Sequence, residues 1–312
     1  MSPHINHSRG VMYATITAVM WGVLAIALKV MLNEMDAASV VFARFSIAFI
    51  VLFAIHLYRD PSSLKIFTKP PVLLPVASAF LAYNYYGFIK GLQFISPASS
   101  QVYIQIGPVL FALGGIFLFK EKVGPRQWLG FMVLVAGFAL YYFEQVHGQT
   151  SHDANFGKGI VLILTGGLAW SVFALLQKKL LKTYKASDLN LFIYGFCAIL
   201  FLPFFNIHST VNLSAIDWAN LVFLGLNTLI AYNSFALAMH YTDANRISVI
   251  VTINPILTFV LMYVLGIMQV TWIQPEHFTW LNISGALLAL SGVLMVVLLP
   301  QKKLRPDEVR TQ

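Results

Sequence analysis

The amino-acid sequence predicts an all-α integral membrane protein: ten transmembrane helices in two inverted five-helix repeats, with both termini cytoplasmic. Three observations predict it. The 312 residues are 58% hydrophobic and only 10% charged, whereas a soluble domain is roughly half apolar and about a quarter charged. The chain divides into apolar windows close to the length of about 20 residues that a helix needs to cross the hydrocarbon core. Segments of the first half also recur, in order, in the second. This composition excludes a soluble globule, a disordered chain and a nucleic-acid-binding domain, in spite of a formal net charge of +8. Cys197 is the single cysteine, so an intrachain disulfide and a thiolate metal cluster are excluded too.

The windows are bounded by charged or proline-rich breaks and run over 10–31, 37–58, 72–92, 98–119, 127–143, 159–181, 188–206, 216–239, 244–267 and 278–299. The first is too long for the apolar region of a secretory signal, and Lys29, Glu34 and Asp36 follow it with no small-residue cleavage site. Asp36 precedes the second window, and Arg59-Asp60-Pro61 closes it. Lys69-Pro70-Pro71 precedes the third, which ends just past Lys90. The fourth is almost continuously apolar over 109–119, which is helical patterning and not the alternation of a barrel strand. Lys120, Lys122 and Arg126 separate it from the short fifth. The sixth ends in Lys178 and Lys179, the seventh opens at Asp188, the eighth contains Asp217, Arg246 lies in the ninth, and the tenth precedes the polar segment 300–312. With the N-terminus inside, all 20 lysines and arginines except Lys29, Arg44, Lys90 and Lys158 fall on the cytoplasmic side, which sets the orientation.

The repeat is legible residue by residue. Residues 18–29 echo 167–178, with Trp21, Val23, Ala25 and Lys29 matching Trp170, Val172, Ala174 and Lys178 at an offset of 149. Ala82-Tyr83-Asn84 recurs as Ala231-Tyr232-Asn233, and Ile106-Gly107-Pro108 as Ile253-Asn254-Pro255. Gly130 and Gly137 recur as Gly285 and Gly292. Five spans in each half force the second half to enter the membrane from the opposite side. Inverted repeats are an architecture of secondary transporters, whose site lies near the midplane between the repeats. The expected division is a first repeat over 10–143, an extracytoplasmic linker over 144–158, a second repeat over 159–299 and a cytoplasmic tail over 300–312.

These features resemble the drug/metabolite transporter superfamily, specifically its ten-helix branch built of two EamA-type repeats. Trp21-Gly22, Lys29, Arg44, Pro108, Lys120-Glu121-Lys122, Gly130 and Gly137 carry the resemblance in the first repeat. Trp170, Lys178, Pro255, Gly285 and Gly292 carry it in the second. The pattern departs at Met268 and Gln269, where the counterpart of Glu121 is absent, and at Tyr194, where Arg44 would recur. The resemblance implies a metabolite or amino-acid transporter of the cell membrane, the bacterial inner membrane in a bacterium.

The candidate substrate-binding residues follow from polarity and position. Trp21 and Trp170 sit mid-span at matching places, where an indole can wall a cavity and donate its N–H. Tyr83, Asn84, Tyr86, Gln101, Tyr103, Gln105, Asn227, Tyr232, Asn233 and Asn254 give neutral donors and acceptors in spans three, four, eight and nine. Such residues also hydrogen-bond helices to one another. Arg44 is an intramembrane cation suited to a carboxylate or phosphate, with pairing to Glu34 or Asp36 as the structural alternative. Lys29 and Lys90 are expected to snorkel to the interface. Pro108 and Pro255 lie inside spans and are candidate hinges, because proline deletes a helical hydrogen bond. The paired glycines are expected to bring helices close together and nothing more.

All 12 acids fall in loops or at span ends, which disfavours a proton relay and a cationic-drug pocket. No HExxH, nucleophile elbow, P-loop or intramembrane aspartate pair is present, which disfavours a membrane-embedded enzyme. The expected function is secondary transport of a small polar metabolite, an amino acid or related compound, by alternating access, as exporter or exchanger. The alternative is transport of phosphorylated or organic anions. No catalytic residue, metal or cofactor is implied. The expected partners are a small-molecule substrate and membrane lipid, with no nucleic acid, and a monomer.

Overall fold

The computed structural model describes residues 7–119, 125–148, 154–242, 244–274, 276 and 278–298. Every regular element among them is helical. The Lys120-Glu121-Lys122 motif, His277 and the tail 300–312 lie outside the described residues.

The first half contains α1 (His7–Met31), α2 (Ala37–Arg59), α3 (Leu73–Leu92), α4 (Pro97–Tyr103), α5 (Ile106–Phe119) and α6 (Pro125–Gly148). The second contains α7 (Ala154–Leu180), α8 (Ala186–Phe201), α9 (His208–Val211), α10 (Ala215–Tyr241), α11 (Ala244–Val251), α12 (Asn254–Ile267) and α13 (Trp280–Leu298). Local chemistry starts several of them. Asp36 caps α2 by accepting from the amides of Ala38 and Ser39. Ser96 caps α4 ahead of Pro97, whose missing N–H is no loss in a first turn. Ser214 and Asp217 close a reciprocal capping box on α10.

Among the described residues, five segments are long and apolar enough to cross a membrane: Ser8–Met31, Ala37–Arg59, Asn155–Leu180, Ala186–Phe204 and Ala215–Tyr241. Trp128–Tyr141, Asn254–Ile267 and Trp280–Gly292 are shorter apolar helical stretches. Two of the predicted windows are broken. Span 98–119 is divided into α4 and α5, and span 244–267 into α11 and α12, each a few residues ahead of its proline. Proline lacks the N–H that would close onto the carbonyl four residues back. The Ile104 carbonyl, left by Pro108, accepts instead from Gly107 at 2.9 Å in a tighter turn. The segment 144–158, expected as a linker, is helical as far as Gly148 and again from Ala154.

The halves interlock in a pattern that is preserved when they are exchanged. Helix α1 packs on α10 and α3 on α7; α1 packs on α12 and α5 on α7; α2 pairs with α8 and α6 with α13. Glycines set the last contact. A Cβ on Gly137 would fall 2.2 Å from the Ala289 amide nitrogen, and one on Gly292 would fall 2.4 Å from that of Leu134. Backbone meets backbone there, as small residues permit in helix pairs that gain little from hydrophobic burial.

Candidate substrate cavity

A cavity of about 70 Å³ lies between the halves, walled by α1, α2, α3, α7 and α10 and by the ends of the broken helices. Nine of the residues singled out by sequence reach its wall: Trp21, Arg44, Asn84, Gln101, Gln105, Pro108, Trp170, Tyr232 and Asn254. The two breaks meet there. Gln105 Nε2 donates to Asn254 Oδ1 at 2.8 Å and to the Gln101 carbonyl at 3.2 Å, joining the first break to the second. Gln101 Nε2 donates to the Trp21 carbonyl at 3.2 Å, which ties the first break to α1.

Aromatic rings form much of the remaining wall. Trp21 meets Trp170 edge-on with centroids 5.7 Å apart, and the same indole lies 5.5 Å from Tyr232. Phe235 packs behind both indoles, at 5.6 Å and 5.2 Å. These separations suit tilted and edge-to-face pairs, in which ring quadrupoles are complementary. The matching tryptophans of the two halves thus touch.

Arg44 is 2% exposed and stands on the cavity wall. Its Nε donates to Thr228 Oγ1 at 3.1 Å, and its Cζ lies 4.6 Å from the Tyr85 ring centroid, a cation–π contact. The Thr228 hydroxyl donates onward to the Leu224 carbonyl, which orients its lone pairs toward the arginine. No carboxylate lies within ion-pair distance of Arg44 among the described residues. Asp36, a candidate partner by sequence, serves as the α2 cap. Nearby, Gln101 Oε1 and Gln105 Oε1 are buried with no hydrogen-bond partner among the described residues. Buried polar groups are ordinarily paired, so these two acceptors are where a water or a ligand donor in the cavity would bond.

The other singled-out residues are elsewhere. Tyr83 is 45% exposed and donates to Thr165 of α7, while Tyr86 stacks on Phe201 of α8. Tyr103 packs against Phe138 and Tyr141 of α6. Asn227 donates to the Met20 carbonyl at 2.7 Å, holding α10 on α1, and Asn233 accepts from Asn190 at 2.6 Å, holding α10 on α8. Pro255 is buried at the start of α12 and is not on the cavity wall. Lys29 does not simply snorkel: its ammonium donates to the carbonyls of Leu92 and Ile95, past the end of α3. Tyr85 is on the wall too, and sequence reasoning did not select Leu24, Phe88, Ile89, Ile104 or Val251, which complete it.

A second, larger cavity of about 800 Å³ opens beyond the C-terminal end of α1, lined by residues 93–97, 271–274, 276, 278 and 279 with α6 and α13. At the opposite end, Lys185 pairs with Asp60 at 3.1 Å and His56 lies 3.9 Å from Asp188. Hydrogen bonds from Ser62 and Lys185 hold the exposed Asp60 carboxyl below its ordinary range, and Asp60 in turn raises the Lys185 ammonium.

Paired broken helices meeting at a largely aromatic and apolar cavity with a few polar groups, between two half-molecules, define a class, the multi-helix membrane carrier built from a repeat. The chain belongs to the EamA-like transporter family, which matches residues 8–143 and again 157–298. It is similar to an uncharacterized inner membrane transporter, YhbE, of Escherichia coli K12, 31% identical over 92% of this chain and 88% of that one. It is also similar to an uncharacterized transporter of Haemophilus influenzae, 28% identical over 94% of this chain and 97% of that protein. A solved crystal structure superposes with a TM-score of 0.70 at 18% identity, over 93% of this chain and 97% of that one. That likeness shows the fold. The protein is a membrane transporter, and its family and relatives are those of a transporter and not of an enzyme.

Proposed function

We propose that the protein is a secondary transporter of a small metabolite bearing a carboxylate, an amino acid or related compound, which it carries across the bacterial inner membrane by alternating access. The observation that carries this reading is Arg44, a buried guanidinium on the cavity wall with no carboxylate partner among the described residues. Burying an unpaired cation costs several kcal/mol, and a ligand carboxylate would remove that cost through charge-assisted hydrogen bonds. The orphan Gln101 and Gln105 oxygens would accept from an ammonium or hydroxyl of the same ligand. The indoles of Trp21 and Trp170 would cover its apolar part.

Ten spans in two inverted repeats, with both termini cytoplasmic, suit this reading. In that orientation the large cavity opens outside and the exposed Lys185–Asp60 pair lies on the inside. The midspan breaks at Pro108 and Pro255 supply candidate hinges. A phosphorylated or organic anion is the second reading, since a phosphate would also satisfy Arg44.

The test is a thermal-shift screen of detergent-purified protein with amino acids, simple carboxylates, phosphate esters and quaternary amines, since a ligand of the folded state raises its stability. Carboxylate-bearing hits are expected, lost in Arg44→Gln and weakened at least tenfold in Trp21→Ala, with the same compounds moving in proteoliposomes. Hits confined to phosphate esters would transfer the assignment to the anion reading. Amino-acid hits that bind Arg44→Gln as well as the parent would refute the role given to Arg44.

A further inference from the structure

The large cavity beyond α1 contains a carboxyl group that the sequence presents as an ordinary loop acid. Glu276 lies in the connection between α12 and α13, outside the membrane-spanning segments, yet it is folded inward onto the cavity wall. Its carboxyl accepts from the Ala98 amide, while its Oε2 is buried without a hydrogen-bond partner among the described residues. An ionised carboxylate wants several donors, and a neutral carboxyl tolerates an unpartnered oxygen far better. Burial accordingly pushes Glu276 up to about 8, the Ala98 amide and the Lys29 charge only partly opposing it.

The charged and titratable groups lining this cavity, among the described residues, are Lys29 from α1, Tyr141 and Glu144 from α6, and Glu276. Lys29 is anchored by the carbonyls of Leu92 and Ile95 at 2.7 Å and 3.0 Å, so it offers a fixed charge and does not fold onto the carboxyl. Glu144 accepts from Thr279 at 2.8 Å. With both glutamates ionised the wall therefore carries one more negative charge than positive, and it admits one further cation. Trp272 and Phe278 also line the cavity, and aromatic rings attract organic cations.

We propose that Glu276 is a proton-exchange site: its carboxyl holds a proton until a primary ammonium group enters the cavity, then releases that proton to solvent and pairs with the ammonium as a carboxylate. One proton leaves for each ammonium bound, and no covalent bond other than the O–H changes. In a transporter this would exchange a proton for an amine at the outer mouth. Only that consequence rests on the transport reading, and the site itself does not.

The experiment is an infrared titration of the full chain in lipid nanodiscs, following the carbonyl band of a protonated carboxylic acid, with methylammonium as probe. The expected midpoint is about 8, with the band missing in Glu276→Gln and retained in Glu276→Asp. Removing the nearby positive charge in Lys29→Gln should move the midpoint to higher pH. Methylammonium at ten times its dissociation constant should lower it by about one unit, and the same concentration of sodium should not. A midpoint in the ordinary carboxylate range, a band that survives in Glu276→Gln, or a midpoint indifferent to methylammonium would overturn the proposal. Arg44→Gln should leave the band in place, so failure of the central-cavity reading and failure of this one are distinguishable.

Discussion

Arg44 and Glu276 are opposite cases of how an ionisable side chain is recognised. Arg44 stands in the middle of an apolar window, where any charge is conspicuous, and the structure places it on the cavity wall. Glu276 follows Gln274-Pro275 in a short polar stretch, and its burial comes from a fold-back onto α4 that no local pattern announces. The tetrad Tyr83-Asn84-Tyr85-Tyr86 makes the same point. Successive helical residues point about 100° apart, so only part of the tetrad can face one cavity, and Asn84 and Tyr85 do. Gln269 marks the end of α12 with φ at 51°, the left-handed conformation that closes a helix when the next amide, here that of Val270, reaches back to Leu265. That conformation costs an L-residue about 1–2 kcal/mol, and glycine would give back about 0.5–1 kcal/mol through its freer unfolded chain. Gln269→Gly is therefore expected to stabilise the protein by roughly 0.5–1 kcal/mol, read as a higher thermal midpoint.

Broken helices differ from continuous ones in what their ends are free to do. In α4–α5 and α11–α12 the interruption releases side chains and carbonyls from the helical ladder, and Gln105 and Asn254 use that freedom to bond each other. The sequence made the prolines visible, and with them the position of the interruptions to within a few residues. It did not show that the two breaks touch, because contact across an offset of 149 residues is a tertiary fact. Leu24, Phe88, Ile89, Ile104 and Val251 were illegible for a different reason. In a helix that is apolar on every side, no periodicity separates the face toward a cavity from the face toward lipid. Pro108→Ala tests the function of the interruption. Pro108 stands in the first turn of α5, where its missing N–H costs little, so the substitution is expected to leave the thermal midpoint close to the parent's while slowing transport at least tenfold in proteoliposomes. Transport at the parental rate would leave Pro108 a role in shape alone.

At the scale of the whole molecule, the exchangeable packing of the two halves explains why so much was legible. A sequence that states its pattern twice identifies its midspan tryptophans, prolines and glycines by their recurrence. The glycines carry the furthest consequence. Where Gly137 lies against Ala289, and Gly292 against Leu134, no side chain stands between the backbones of α6 and α13. Two surfaces in that contact have no rotamers with which to slide. If the halves move by alternating access as proposed, the α6–α13 seam would serve as a spine about which they tilt, as covers do about a binding, without parting. In a chain with Cys197 replaced, a cross-link between cysteines at 134 and 289 should leave turnover unchanged, whereas one joining positions 105 and 254 should stop it. Arrest by the first cross-link would mean that the stationary edge of the machine lies somewhere else.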